Sequence, residues 1–384
     1  MPGRPRSLVL ATGVAALSLA FPVGAQAKVK TVLEGLPVRD QARFLQTAYE
    51  ADAIDYFPHT VTIHVGDSVK FSPTAFHNID IPALKGGRQQ AHMPLLVPST
   101  IITGDNDAAG NPFWFNGQRP NVGFNAKLLP ASFSVDYSPT KVPSRKLVKA
   151  TYDGKRQVTS FIPFNAGPPA TQVKFTRAGK YTVYCDLHEG MTGVVRVLAK
   201  QQKIPSASAD AKALKAQVAR DFEVAKTLKQ VQVPPNTVDV GSAGKHGVEY
   251  FGYLPKALTV PVHTTVTFRM TPDSLENHTA TTSAANHDPE DTTTTTHLGT
   301  IAASFFSRRF DPEGVWPSDP SEPASLTKAS HGDGFWNSGV LDVLSSTPPT
   351  LIPRQRSVTF DEPGTYDFWC MVHPQMHGQV VVTG

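Results

Sequence analysis

Apolar and polar residues alternate through Val61, Ile63 and Val65, and again through Val358 and Phe360, with β-branched and aromatic side chains predominating. A period of two places one face of the backbone against a core and the other toward water, so these stretches predict half-buried strands. Gly66-Asp67 and Gly179-Lys180 read as turns between them. A different period runs from Asp210 to Gln230, where Leu214, Val218, Phe222 and Ala225 fall at helical spacing between Pro205-Ser206 and Pro234-Pro235. That stretch predicts an amphipathic helix with one face on a core. Arg39 to Glu50 predicts a similar helix, and both are expected to be structural.

The strand pattern occurs twice. Tyr56-Phe57-Pro58-His59-Thr60-Val61-Thr62-Ile63 aligns with Tyr253-Leu254-Pro255-Lys256-Ala257-Leu258-Thr259-Val260, and Val65, Val69 and Phe71 continue without a gap over Val262, Val266 and Phe268. Further on, Val173-Lys174-Phe175 matches Val358-Thr359-Phe360, Gly179-Lys180-Tyr181 matches Gly364-Thr365-Tyr366, and Cys185 falls over Cys370. The halves read as copies with different loop lengths. Short strands and many Pro/Gly turns predict an all-β protein: two Greek-key β-sandwiches with short helices in the linker and N-terminal segment. The expected division is a signal peptide at 1–27, a partly helical segment at 28–55, a first domain at 56–199, a helical linker at 200–235 and a second domain at 236–384. Long insertions, near 82–167 and 280–353 and including the run Thr292–Thr296, carry no readable period.

Charge and the first residues limit the setting. Arg4 and Arg6 precede the apolar run Leu8–Phe21, and Ala25-Gln26-Ala27 supplies small residues for cleavage after Ala27. The apolar run is shorter than the ~20 residues that span a bilayer. Export to a periplasm or the extracellular space is therefore expected, with no membrane span after cleavage. The formal charge is +4, and loss of Arg4 and Arg6 lowers it to +2. So small a bias, with no basic cluster among aromatics, gives no reason to expect a nucleic-acid partner.

The chain has two cysteines, and an exported chain permits a Cys185–Cys370 disulfide. Their surroundings favour another use. Tyr184-Cys185-Asp186-Leu187-His188-Glu189-Gly190-Met191-Thr192-Gly193 and Trp369-Cys370-Met371-Val372-His373-Pro374-Gln375-Met376-His377-Gly378 share an aromatic, a cysteine, a histidine three on, a methionine three further and a glycine two beyond. A thiolate with imidazoles and a weak axial thioether suits copper; zinc can take Cys and His, but a thioether is a poor zinc ligand. The loop supplies three donors and a fourth must come from another strand. Phe76-His77-Asn78-Ile79 and Asn277-His278-Thr279-Ala280 each offer a histidine after the first aligned strands, with His287 a rival to His278.

With these motifs the sequence resembles the cupredoxins, or blue-copper proteins, in both halves outside the helices and insertions, and its loop spacing is that of the amicyanin-like members. The resemblance implies two mononuclear type 1 copper sites, His77, Cys185, His188 and Met191 in one and His278, Cys370, His373 and Met376 in the other. It implies electron transfer with unidentified redox partner proteins, His188 and His373 acting as ports through apolar surface. Asn78 matches the asparagine that buttresses the cysteine loop in the family; Thr279 departs from it, so the second site is expected to be less rigid or differently tuned. Tyr184 and Trp369 are either relays or buried core aromatics. Two-domain oxidases and nitrite reductases of this family are the enzymatic alternative. They join their coppers through a histidine beside the cysteine, and oxidases add His-x-His pairs; neither pattern is present here. Copper storage or delivery usually brings Met- or His-rich tracts, whereas this chain has six Met. His287, His297 and His331 in the second insertion are candidates for a further metal site, and His377 is expected at the surface.

Overall fold

The computed structural model describes residues 27–46, 49–98, 101–118, 122–128, 146–162, 169–284, 296–305, 310–342 and 353–384. The leader, His287 and most of the threonine run lie outside these residues.

The alternating segments form two β-sandwiches. In the first, one sheet has the order Val148–Tyr152, Thr171–Phe175, Ser68–Pro73, Val29–Glu34, Tyr56–Phe57. The facing sheet has the order Val158–Thr159, Asp80–Ile81, Gly179–Tyr184, Thr192–Leu198, Thr60–His64. In the second, Ala51–Ala53, Val248–Leu254, Thr237–Ala243, Thr264–Arg269, Gln355–Phe360 and Ala324–Leu326 face Ala257–Pro261, His377–Thr383, Gly364–Trp369, Thr281–Thr282 and Trp336–Asn337. The same parallel pairings occur in both: Val29–Glu34 lies along Ser68–Pro73 as Thr237–Ala243 lies along Thr264–Arg269. Thr60–His64 lies along Thr192–Leu198 as Ala257–Pro261 lies along His377–Thr383. Inward residues of each pair of sheets make one core around Phe71, Val173 and Val183 and another around Phe268, Val358 and Phe368. In each copy a tyrosine hydroxyl reaches back four residues to a carbonyl, Tyr181 to Arg177 at 3.0 Å and Tyr366 to Glu362 at 2.9 Å.

The segment 28–55, read from sequence as lying ahead of the first sandwich, is divided between the two. Val29–Glu34 is an inner strand of the first, and Ala51–Ala53 adds an edge strand to the second by pairing with Val248–Leu254. Its helix is shorter than expected, Val38–Leu45. The linker helix spans Ala207–Ala225, its first turn capped by the Ser206 hydroxyl, which accepts from Ala209 N–H at 3.2 Å. Val218, Phe222 and Ala225 pack with Phe44, Ala53, Phe57 and Tyr250 in a third apolar cluster that draws on both halves. Gln217 pins the same helix to the first sandwich by donating to Asp55 at 3.0 Å and to the Tyr56 carbonyl at 2.9 Å.

The insertions pack on each other. Ile102, Phe113 and Phe115 of the first share a fourth cluster with Leu298, Ile301, Trp316 and Phe335 of the second, and Trp369 and Met371 beside Cys370 close it. Each half thus supplies part of the wall behind the other.

Candidate metal centres

Each sandwich carries its cysteine at the end of an inner strand, so the strand direction delivers the thiol to one end of the barrel-like core. Both cysteines are free thiols buried in different cores, which removes the disulfide alternative. A tight turn then returns the chain: Met191 N–H donates to the His188 carbonyl at 2.9 Å and Cys185 N–H to the Met191 carbonyl at 3.1 Å. The second copy repeats this with Met376 and His373 at 2.8 Å and Cys370 and Met376 at 3.2 Å. Both methionines are buried in the same cluster as their cysteine.

The upstream histidine lies in a connection between strands, His77 between Ser68–Pro73 and Asp80–Ile81 and His278 between Thr264–Arg269 and Thr281–Thr282. His77 Nδ1 lies 2.9 Å from His188 Nδ1, which is 3.5 Å from Cys185 Sγ. His278 Nδ1 and His373 Nδ1 are 3.1 Å apart and 3.8 and 3.9 Å from Cys370 Sγ. Two ring nitrogens this close repel unless a proton or a cation lies between them, and a sulfur faces the same point. Burial, reinforced by the neighbouring His188, lowers the His77 pKa well below its ordinary value. Burial, with His373 adding to it, takes His278 to about 3. Both are therefore neutral imidazoles, the form that ligates a metal. Burial raises the Cys370 thiol to about 11, so a metal there must displace a proton. The two ring nitrogens that point away, His77 Nε2 and His278 Nε2, are buried without a hydrogen-bond partner. Two nitrogens and a sulfur facing one point, with a thioether on the same loop, fit copper. Among the described residues, the only clusters of three or more converging His, Cys or acidic side chains are His77/Cys185/His188 and His278/Cys370/His373.

Asn78 clamps the first cysteine loop by accepting from Asp186 N–H and donating to the Asp186 carboxylate, each at 2.8 Å. Thr279, at the equivalent place, accepts with its hydroxyl from Met371 N–H at 2.8 Å, the same position in the loop, and its own N–H points at Cys370 Sγ from 3.3 Å. One hydroxyl replaces the acceptor half of the amide. Beneath each clamp a buried tyrosine donates to the carbonyl of the clamping residue, Tyr56 to Asn78 at 2.6 Å and Tyr253 to Thr279 at 2.7 Å.

His188 is 8% exposed, and both it and His373 line a largely apolar pocket whose walls come from both halves. His188 Nε2 is 3.1 Å from Glu276 Oε1, and His373 Nε2 is 3.5 Å from Glu276 Oε2. Burial works against a charge on His188, but Glu276 outweighs it and holds the ring well above its ordinary pKa, while burial leaves His373 lowered. A cavity of about 600 Å³ adjoins this junction, with His188, Glu276 and His373 on one side and Phe76, Phe251 and Phe310 among its apolar walls. Glu276 was not singled out from sequence. Its signal was a departure from the repeat: aligning His77 with His278 puts Ala75 where the second copy has Glu276.

The other expected residues have structural places. His297 contacts Glu313 at 2.7 Å and Asp333 at 3.4 Å, and His331 contacts Asp107 at 3.3 Å and Asp319 at 3.4 Å, so each histidine serves its own two carboxylates. Trp369 is buried in the insertion core and lies 5.1 Å from the half-exposed His377 ring. Tyr184 stacks at 4.9 Å on His92, whose ring reaches Asp186 at 3.2 Å. No helix among the described residues is long and apolar enough to cross a membrane.

No family model and no curated protein matches the chain. Among solved structures it is similar to a purple cupredoxin from Nitrosopumilus maritimus, 18% identical over 38% of this chain and 98% of that one, with a TM-score of 0.19. It is also similar to the reduced Cu(I) form of an amicyanin variant at pH 4, 19% identical over 40% of this chain and 87% of that one, TM-score 0.20. Oxidised plastocyanin from Dryopteris crassirhizoma is 17% identical over 38% of this chain and 99% of that one, TM-score 0.19. TM-scores this low add nothing to the fold described above.

Proposed function

We propose that this chain is an exported member of the cupredoxins, in two tandem domains, that holds one mononuclear blue-copper ion in each sandwich and transfers electrons. The observation that carries the reading is the pair of equivalent clusters, each with two Nδ1 atoms and one Sγ facing a common point beside a buried methionine. Copper bound there would supply a one-electron Cu(II)/Cu(I) couple. His77, Cys185, His188 and Met191 are the residues for one ion, His278, Cys370, His373 and Met376 for the other. Asn78 and Thr279 hold the cysteine loops by their backbone N–H groups, which limits the rearrangement the donors undergo when charge changes. Four protein donors leave no open position for a substrate at the metal, which favours a carrier over an oxidase or nitrite reductase.

The cavity beside His188 and His373 favours one refinement, in which the electron donor or acceptor is a small aromatic molecule able to enter where a protein partner cannot. Saturable binding of such a molecule, with bleaching or recovery of colour, would support it; a colour change driven only by proteins would reject it.

Copper quantitation with a visible spectrum on the purified chain tests the main reading. Two coppers per chain and an intense blue colour are expected, and Cys185→Ser and Cys370→Ser should each remove one copper and about half the colour. Copper held without intense colour, or steady consumption of oxygen or nitrite, would overturn it.

A further inference from the structure

We propose that Glu276 joins the two metal centres into one coupled pair, through the sequence His188–Glu276–His373, so that the centres share one charge and exchange electrons directly. The inference rests on the two-copper reading above and goes beyond it, since two tandem sites need not communicate.

One carboxylate divides its oxygens between the sandwiches: Oε1 faces His188 Nε2 at 3.1 Å and Oε2 faces His373 Nε2 at 3.5 Å. Both rings turn their Nδ1 atoms inward to the thiols, so each imidazole has one nitrogen at a donor cluster and the other at Glu276. With Nδ1 on a metal, Nε2 must carry the proton, and both rings then donate to the same anion. No gap along this route exceeds the 3.5 Å contact to Glu276.

The carboxylate is built in. Glu276 is 5% exposed, and burying an unpaired carboxylate costs several kcal/mol, so it stands here only with partners. Among the described residues its ion pairs are with the two histidines. The turn that presents it is fixed from below by Glu249, which accepts from the Ser274 hydroxyl at 2.7 Å and from Leu275 N–H. The first copy has Ala75 at the equivalent place, so one half supplies the bridge for both. A single negative charge in a low-dielectric junction stabilises the oxidised ion at both centres, so either centre senses the other's charge through a common neighbour.

The test uses the copper-loaded full chain, with Cys185→Ser or Cys370→Ser isolating one centre at a time. In either background Glu276→Gln, which keeps shape and removes charge, should change the Cu(II):Cu(I) affinity ratio about tenfold toward Cu(I). That is a rise of 59 mV for a one-electron couple. After rapid one-electron reduction of the two-copper chain, equilibration between centres should slow at least tenfold in Glu276→Gln. In metal-free protein, nitrogen-15 spectra should show the Nε2 signals of both His188 and His373 moving, and moving further than those of His77 and His278. If only the His373 centre responds, or neither does, Glu276 is a local residue and the proposal fails. Should Glu276→Gln not fold, emptying the second centre with Cys370→Ser must still shift the midpoint of the first; an unchanged midpoint refutes the coupling. A chain that takes up no copper defeats the proposed function, whereas two blue centres that titrate independently defeat this inference alone.

Discussion

The two cysteine loops are held by different side chains in the same place, which permits a comparison within one molecule. Asn78 is fully buried and makes two bonds to Asp186, one from its amide to the carboxylate and one from the Asp186 N–H to its carbonyl, both 2.8 Å. Asn78→Ala removes a bond to a charged group, worth about 1.5–3 kcal/mol, and strands a buried N–H at a further ~1–3 kcal/mol. Because both act on one partner they are not additive, and a cost of about 3 kcal/mol is expected. Thr279→Val keeps the shape at the second site and loses two neutral bonds, the one from Met371 N–H and the one with the Thr281 hydroxyl at 2.9 Å, for about 2 kcal/mol. Urea unfolding of the metal-free protein, followed by circular dichroism, measures both costs. Copper retention against a chelator, at one centre isolated by Cys185→Ser or Cys370→Ser, reads the effect on each loop. The decisive result is the order: a smaller cost for Asn78→Ala than for Thr279→Val would refute the view that the amide's second bond reinforces the first clamp.

Two further outcomes follow from the geometry. Burial alone would lower His297, but its bonds to Asp333 and Glu313 outweigh that and raise its pKa to about 10. A raised histidine stabilises the fold fully below about 6.5 and loses that contribution as pH climbs through about 10; after allowance for partial exposure, wild type should lose about 2 kcal/mol more than His297→Gln across that window in urea melts. A Cβ on Gly193 would meet Tyr56 Cδ2 at 2.8 Å, so Gly193→Ala should cost about 1–3 kcal/mol by pushing on the ring that supports Asn78; a cost below about 0.5 kcal/mol would show that the ring moves freely.

What could be read in the sequence was what is local. Period-two alternation marks strands whose inward residues recur every second position, and the cysteine, histidine and methionine of each loop lie within seven residues, so their geometry follows from one turn. Strand Val29–Glu34 escaped notice because it pairs in parallel with a strand about forty residues on, and its sequence VKTVLE hardly alternates. Ala51–Ala53 is three residues long and pairs with a strand of the other half, which no local pattern encodes. The insertions lacked a period because their apolar residues face each other rather than one regular surface: Phe113 and Phe115 stack at 4.9 Å, and Phe113 meets Phe335 of the second insertion at 6.1 Å. The pocket that His188 and His373 line was hidden for the same reason, since its walls come from both halves and no local pattern encodes their packing.

In a duplicated chain, what the copies share describes each sandwich, and where they differ describes the junction between them. Paired features such as the two tyrosines under the clamps, or Gly193 and Gly378 against Tyr56 and Tyr253, describe what either sandwich needs to stand alone. Glu276 against Ala75 is of another kind, because a carboxylate buried in only one copy meets His373 of its own half and gains His188 only when the first sandwich is packed beside it. The cost of desolvating it is offset by two imidazoles from two different cores. The junction is therefore a property of the two packed halves, with one carboxylate within 3.5 Å of a ring from each.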